Sequence, residues 1–271
     1  MSATHPASAS ATATAFKLVV EYDGSAYCGW QRQPDRPTIQ AAIEAVLQRM
    51  TGQAVTLHAS GRTDAGVHAL GQTAHFACHT RLTPEALLRG LNSLLPEDIA
   101  IRACHRVPSA FHARFDAIWK RYRYRICNQP VRRAVGRQYA WQIYRPLDLA
   151  AMTEAACCLI GRRDFKSFEA SGSPRAHTVR EVMEASWGQK ADGHLEFDIR
   201  ADGFLRGMVR NIVGTLVAVG MGKLSAADIP PLIAAADRRR APATAPAHGL
   251  FLVEVAYPPN SHTAASPAQV P

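Results

Sequence analysis

Residues 60 to 68 read SGRTDAGVH, and they crowd a guanidinium, a hydroxyl, a carboxylate and an imidazole into a segment punctuated by two glycines. Asp64 is the only acid between Glu44 and Glu85. A two-metal nuclease needs several clustered acids, and an ordinary glycosidase needs a pair. A solitary carboxylate beside Arg62 suits a different role, that of a permanently ionised group held in place as a nucleophile or base. A turn aspartate bonded to backbone amides would use the same residue types. Gly61 and Gly66 allow backbone geometry that other residues resist and let a ligand come close.

Two further stretches could work with such a loop. In KRYRYRI (120–126), strand geometry turns Tyr122, Tyr124 and Ile126 to one side and Arg121, Arg123 and Arg125 to the other. One side then offers aromatic surface and the other phosphate-seeking charge, the combination that holds unstacked bases. A core tyrosine pair with solvated arginines fits the pattern as well. In FLRGMVRNIVG (204–214), Leu205, Val209, Ile212 and Val213 belong to a buried helical stripe that continues to Leu216, flanked on a common side by Arg206 and Arg210. An arginine at the margin of a buried face needs an acidic partner. Asp64 is one candidate among the acids of the chain.

The elements that must carry these residues follow from periodicity. FKLVVEY (16–22), AVTLHAS (54–60), GQTAHFAC (71–78) and DIAIRACHRV (98–107) alternate as strands. PTIQAAIEAVLQRMTG and TPEALLRGLNSLLP are helices opened by Thr38 and Thr83. The second half repeats the order with KRYRYRI, a helix over 148–161 capped by Asp148, strands near 178–187 and over 194–201, an apolar helix over 204–220, a shorter one near 225–237, and a strand over 249–257. The expectation is an α+β fold of two tandem ferredoxin-like (βαββαβ) halves, a central antiparallel or mixed sheet, and an active-site cleft between the halves. Residues 16–109 form the N-terminal domain with the Asp64 loop and residues 110–258 the C-terminal one. Residues 1–15 and 259–271 read as disordered tails.

Of the 271 residues, 47% are hydrophobic and 20% charged, an ordinary globular balance, with a net charge of +9. The excess is local. Arg102 to Arg145 holds 11 Lys/Arg and one acid, whereas the other 227 residues hold 20 basic against 21 acidic. A concentrated patch implies a polyanionic partner. The six cysteines form no C-x-x-C pair, and His75 and His79 sit in a strand pattern, so neither a disulfide framework nor a metal site is expected. The leader fits neither a secretion signal nor a transit peptide, and no segment reaches the apolar length of a membrane span. A cytoplasmic protein with reduced thiols is the expectation.

In order along the chain, EYDGSAYCGWQRQ, SGRTDAGVHA, FHARFDA, KRYRYRI, LIGRRDFKSF, FLRGMVRNIVG and GLFLVEV resemble the motifs of the TruA family of tRNA pseudouridine synthases, and SGRTDAGVHA matches its active-site motif without substitution. The departures are the Ala/Ser/Thr-rich leader, the Pro-containing tail and scattered loop positions. The resemblance implies that Asp64 is the catalytic carboxylate, that Tyr122 and Arg62 bind substrate, and that Arg210 pairs with Asp64 and orients it. It also implies a homodimer that works on tRNA without metal or cofactor and converts uridines 38, 39 and 40 of the anticodon arm. A non-catalytic RNA-binding protein and a carboxylate-dependent hydrolase of nucleosides or glycans are the competing readings. Asp64 within its full motif and Tyr122 within KRYRY favour the isomerase.

Overall fold

The computed structural model describes residues 13–170, 172 and 177–259. In chain order it runs β1 (Thr14–Tyr22), α1 (Ile39–Thr51), β2 (His58–Ala59), β3 (His68–Cys78), α2 (Pro84–Leu94), β4 (Ile99–Val107), β5 (Trp119–Cys127), β6 (Trp141–Gln142), α3 (Leu149–Cys157), β7 (Gly161–Asp164), β8 (Val179–Gln189), β9 (His194–Ala201), α4 (Met208–Gly220), α5 (Ile229–Ala234) and β10 (Leu250–Ala256). The result is a mixed α+β molecule built on one sheet. Its strand order is β4-β1-β3-β10-β5-β9-β8-β7, with β2 beside β3 and β6 beside β5. All pairings are antiparallel except β3–β10 and β5–β6.

The apolar residues expected from alternation line one face. Phe16, Leu18 and Val20 of β1 are buried with Phe76 of β3, Tyr124 and Ile126 of β5, and Phe197 and Ile199 of β9. Phe16 stands opposite Phe76, with ring centroids 5.4 Å apart. Ile39, Ile43 and Leu47 of α1 and Leu87 and Leu91 of α2 join the same core. Helix α4 is buried on nearly every side, which explains its almost uninterrupted apolar sequence. Thr38, Thr83 and Asp148 each accept a backbone N–H as helix caps.

Several boundaries differ from the periodicity reading, each for a local reason. Strand β2 is two residues long instead of seven. The Leu57 amide donates to Glu44 Oε1 at 2.8 Å and its carbonyl accepts from Gln40 Nε2 at 3.1 Å, so α1 side chains take the place of a ladder. Strand β1 begins at Thr14, paired with Cys78, so the leader tail does not extend to residue 15. The rest of the expected tails, residues 1–12 and 260–271, lies outside the described residues. Helix α3 stops at Cys157, and the LIGRRD stretch supplies β7 instead. Helix α4 begins at Met208, so Arg206 lies in the turn before it and not on its flank. Only Ile229–Ala234 of the 225–237 stretch is α-helical, preceded by a 3-10 turn over Ala226–Asp228.

The polar side of β5 needs a larger correction. Arg123 stands opposite Asp198 and Arg125 opposite Glu196 in the β5–β9 register. Their ion pairs are short: Arg123 Nη2 to Asp198 Oδ2 at 3.0 Å and Arg125 Nε to Glu196 Oε1 at 3.0 Å. Arg121 reaches Glu184 at 3.8 Å. These arginines are cross-strand partners of acids and not open phosphate ligands. Within the basic segment, Arg132, Arg137 and Arg145 form no ion pair among the described residues. No helix among the described residues is long and apolar enough to cross a membrane.

Candidate active site

The SGRTDAGVH segment connects β2 to β3, and its backbone is pinned from three sides. From β3, Gln72 accepts a hydrogen bond from Ser60 Oγ at 2.7 Å and donates one to the Gly61 carbonyl at 2.9 Å. From β5, the Lys120 ammonium donates to the Ser60 carbonyl. From β1 and the segment after it, the Tyr22 hydroxyl meets Thr63 Oγ1 at 2.8 Å and the Trp30 amide donates to the Thr63 carbonyl at 3.2 Å. Ser60, Thr63 and Gln72 are buried, so these bonds are shielded from water and hold the loop firmly.

Glycines in EYDGSAYCGW make that contact possible. A Cβ on Gly24 would stand 2.1 Å from the Val67 carbonyl oxygen. One on Gly29, whose φ is 89°, would stand 2.6 Å from the Thr63 oxygen. The first motif of the chain is therefore the backing of the second. Gly24→Ala must push the loop outward, and overpacking of this kind costs about 1–3 kcal/mol. We expect it to lower turnover about 10²-fold through a displaced Asp64, checked by steady-state kinetics beside a thermal melt. Wild-type kcat in a folded variant would remove this support role.

Asp64 sits at the exposed turn of the loop and meets α4. Its Oδ2 accepts a hydrogen bond from Arg210 Nη1 at 3.1 Å, with the two side chains one-third and one-fifth exposed. Arg210 is itself clamped: Nε donates to the Ala245 carbonyl at 2.8 Å, and the Ala245 amide returns a bond to the Arg210 carbonyl at 3.1 Å. The Tyr124 hydroxyl anchors the same segment through the Pro246 carbonyl at 2.8 Å. The bond from Arg210 falls on Oδ2 and not on Oδ1.

Tyr122 completes the group. Its ring is buried and stands edge-on to Phe204 at 4.9 Å. Burial raises its pKa well above the ordinary phenol value, and the neighbouring Tyr22 and Asp64 raise it further. Tyr122 is thus a neutral phenol beside a carboxylate. Arg62 is exposed and forms no ion pair with Asp64. Asp64 and Arg210 meet from distant parts of the chain, Tyr122 lies within electrostatic reach of Asp64, and Arg62 is exposed. The sequence reading missed Tyr22, Thr63, Gln72 and Lys120 as loop anchors. The glycines at 24 and 29 were the one visible sign that another segment packs there.

A cleft of about 680 Å³ opens next to the loop, with Gly66 in its wall together with Ser25, Arg132, Arg133, Trp141 and Tyr144. Asp64 and Tyr122 lie outside its lining, so these two side chains and the basic cleft are neighbours and not one cavity. Among the described residues no three His, Cys, Asp or Glu side chains gather as a metal site.

A family described as tRNA pseudouridine synthase matches residues 18–116 and 155–258, which include Asp64 and Arg210. The chain belongs to that family. Tyr122 and the arginine-rich stretch after β5 fall between the two matched spans. The chain is similar to tRNA pseudouridine synthase A of Geotalea daltonii, at 47% identity over 89% of this chain and 98% of that one. It is also 47% identical to the enzyme of the same description from Moorella thermoacetica, over the same shares. For Syntrophotalea carbinolica the identity is 44%, over 90% of this chain and 96% of the relative.

Proposed function

We propose that this tRNA pseudouridine synthase converts uridine to pseudouridine at positions 38, 39 and 40 of the anticodon arm, with Asp64 as the reacting carboxylate. The observation that carries the reading is Asp64 itself, one-third exposed, held by Arg210 at 3.1 Å, and set beside a buried tyrosine. The reaction breaks the C1′–N1 bond of uridine, turns the uracil and joins C1′ to C5. The proton at C5 leaves and N1 gains one, so atoms and electrons balance without oxidant or donor. Attack of Asp64 at C1′, its addition at C6, and proton removal at C2′ are the three routes compatible with its place. Arg210 keeps one carboxylate oxygen occupied and leaves the other for the substrate.

The target base must first leave its stack, at a cost of about a few kcal/mol. Tyr122 holds its proton, so its part is to pack against the extruded nucleotide and donate a hydrogen bond, and Asp64 is the nucleophile or base of the reaction. Arg62, exposed beside the carboxylate, takes the substrate backbone. Arg132, Arg137 and Arg145 supply further phosphate contacts.

The architecture reads as two tandem ferredoxin-like halves, 16–109 and 110–258. What supports this is the repeated strand order, β4-β1-β3-β2 in one half and β10-β5-β9-β8 in the other. A cytoplasmic homodimer belongs to the same reading, through the family. The direct test is to incubate the purified protein with unmodified anticodon-arm tRNA and map pseudouridines by carbodiimide-dependent primer-extension stops. Stops at 38, 39 or 40 are expected, and stops confined to other positions contradict the assignment.

A further inference from the structure

The segment between β5 and β6 places Arg132, Arg133 and Arg137 in the lining of the basic cleft, and apart from one short 3-10 turn it has no regular structure. Long cations on such a strap can meet a nucleic-acid backbone in register only if the strap itself is tied down. At its outer end, Arg133 donates to the Asp192 carbonyl and lies 3.8 Å from that carboxylate. At its inner end stands Tyr139, whose hydroxyl donates to Asp23 Oδ2 at 2.8 Å. Its ring lies edge-on to His68, 5.2 Å away.

Asp23 is not an arbitrary anchor. Its neighbour Gly24 is the residue jammed against the Val67 carbonyl, three residues beyond Asp64. The Gly24 amide donates to His68 Nδ1 at 3.1 Å, and His68 Nε2 faces the His248 carbonyl at 3.2 Å. The His248 carbonyl accepts only if Nε2 bears the proton, and the Gly24 amide donates only if Nδ1 does not. The neutral ring meets both needs, and burial favours it by lowering the His68 pKa against the raising influence of Asp23. Asp23 Oδ1 lies 3.0 Å from His68 Nδ1, yet a neutral ring gives it no proton there. The carboxylate is held instead by Ser25, through its amide at 2.9 Å on Oδ1 and its side chain, and by the Tyr139 hydroxyl on Oδ2, the one of these bonds that comes from the strap.

We propose that Tyr139 is a positioning residue: its hydroxyl, bonded to Asp23, ties the arginine-bearing strap to the segment that backs the Asp64 loop and so fixes where the phosphates of a bound RNA strand lie relative to that carboxylate. The inference rests on the proposed reaction for its consequence, but the tie is read by binding alone. Tyr139 touches neither Asp64 nor Arg210, so it acts through the strap. Without the hydroxyl, the strap spends part of its time away from the loop, and apparent affinity falls by the fraction lost.

Tyr139→Phe keeps the ring against His68 and removes one charge-assisted hydrogen bond, whose loss is worth about tenfold in affinity. The expected result is a KM for tRNA raised about tenfold with kcat within about twofold, and a shallower dependence of tRNA binding on salt as phosphate contacts are lost. Arg132→Ala should weaken binding in the wild-type background and add little in the Tyr139→Phe background, because both act through the same strap. An unchanged KM and salt slope in a folded Tyr139→Phe protein would overturn the proposal, as would full additivity of the two substitutions. A wild-type protein that binds tRNA but forms no pseudouridine would instead overturn the proposed reaction and leave the binding test of the strap intact.

Discussion

Asp64→Asn is expected to bind tRNA with wild-type affinity and to lose pseudouridine formation by about 10⁴-fold, the scale seen when a reacting side chain is removed and binding remains. The amide keeps the size of the carboxylate, and its oxygen still accepts from Arg210. Because the Asp64–Arg210 pair is partly solvated, the change in fold stability should stay within about 1 kcal/mol. An uncharged amide is neither a nucleophile toward C1′ or C6 nor a base at C2′, so all three chemical routes fail together. Isothermal binding of tRNA to the variant, next to its rate of pseudouridine formation, separates loss of chemistry from loss of binding. Weakened binding in proportion to lost activity would show that Asp64 serves the complex and not the reaction.

Arg210→Met should keep tRNA binding and lower kcat by about 10²-fold, the range for losing one oriented donor at a reacting centre. The methionine fills much of the same volume at the margin of α4 but gives the Ala245 carbonyl and the Asp64 carboxylate no proton. Both contacts come from one planar guanidinium, Nε to Ala245 at 2.8 Å and Nη1 to Asp64 at 3.1 Å. A lysine ammonium has no such fork, so Arg210→Lys should restore only part of the rate. The check is a kcat against KM comparison for the three proteins. If Arg210→Met matched wild type in kcat, the clamp would be a packing contact without a part in turnover.

Residue types alone singled out several of these side chains, while their roles came from the family resemblance. Asp64 stood out as a lone acid beside two glycines, and Arg210 as a cation on the edge of an apolar helix that needed a partner. Alternation put Tyr122 with Tyr124 on the aromatic face of β5, where a base platform and a core tyrosine pair were both open, and the structure buries both rings. What alternation cannot reveal is the partner across a strand pair. Arg123 and Arg125 looked open to solvent until β9 set Asp198 and Glu196 opposite them. Nor could it reveal that Leu57 would satisfy its backbone on α1 side chains, which ends β2 after two residues. The loop anchors were hidden for the same reason: Tyr22, Gln72 and Lys120 lie 41, 12 and 60 positions from the atoms they hold. Local periodicity carries no information over such separations. The glycines of EYDGSAYCGW signalled close packing but not what would be packed against them.

The most direct test of a reacting Asp64 is single-turnover tritium release from tRNA labelled at uracil C5. Wild-type protein should release tritium from the labelled anticodon-arm uridines, and Asp64→Asn, saturated with the same tRNA, should release none above background. Release by Asp64→Asn at the wild-type rate would contradict the account.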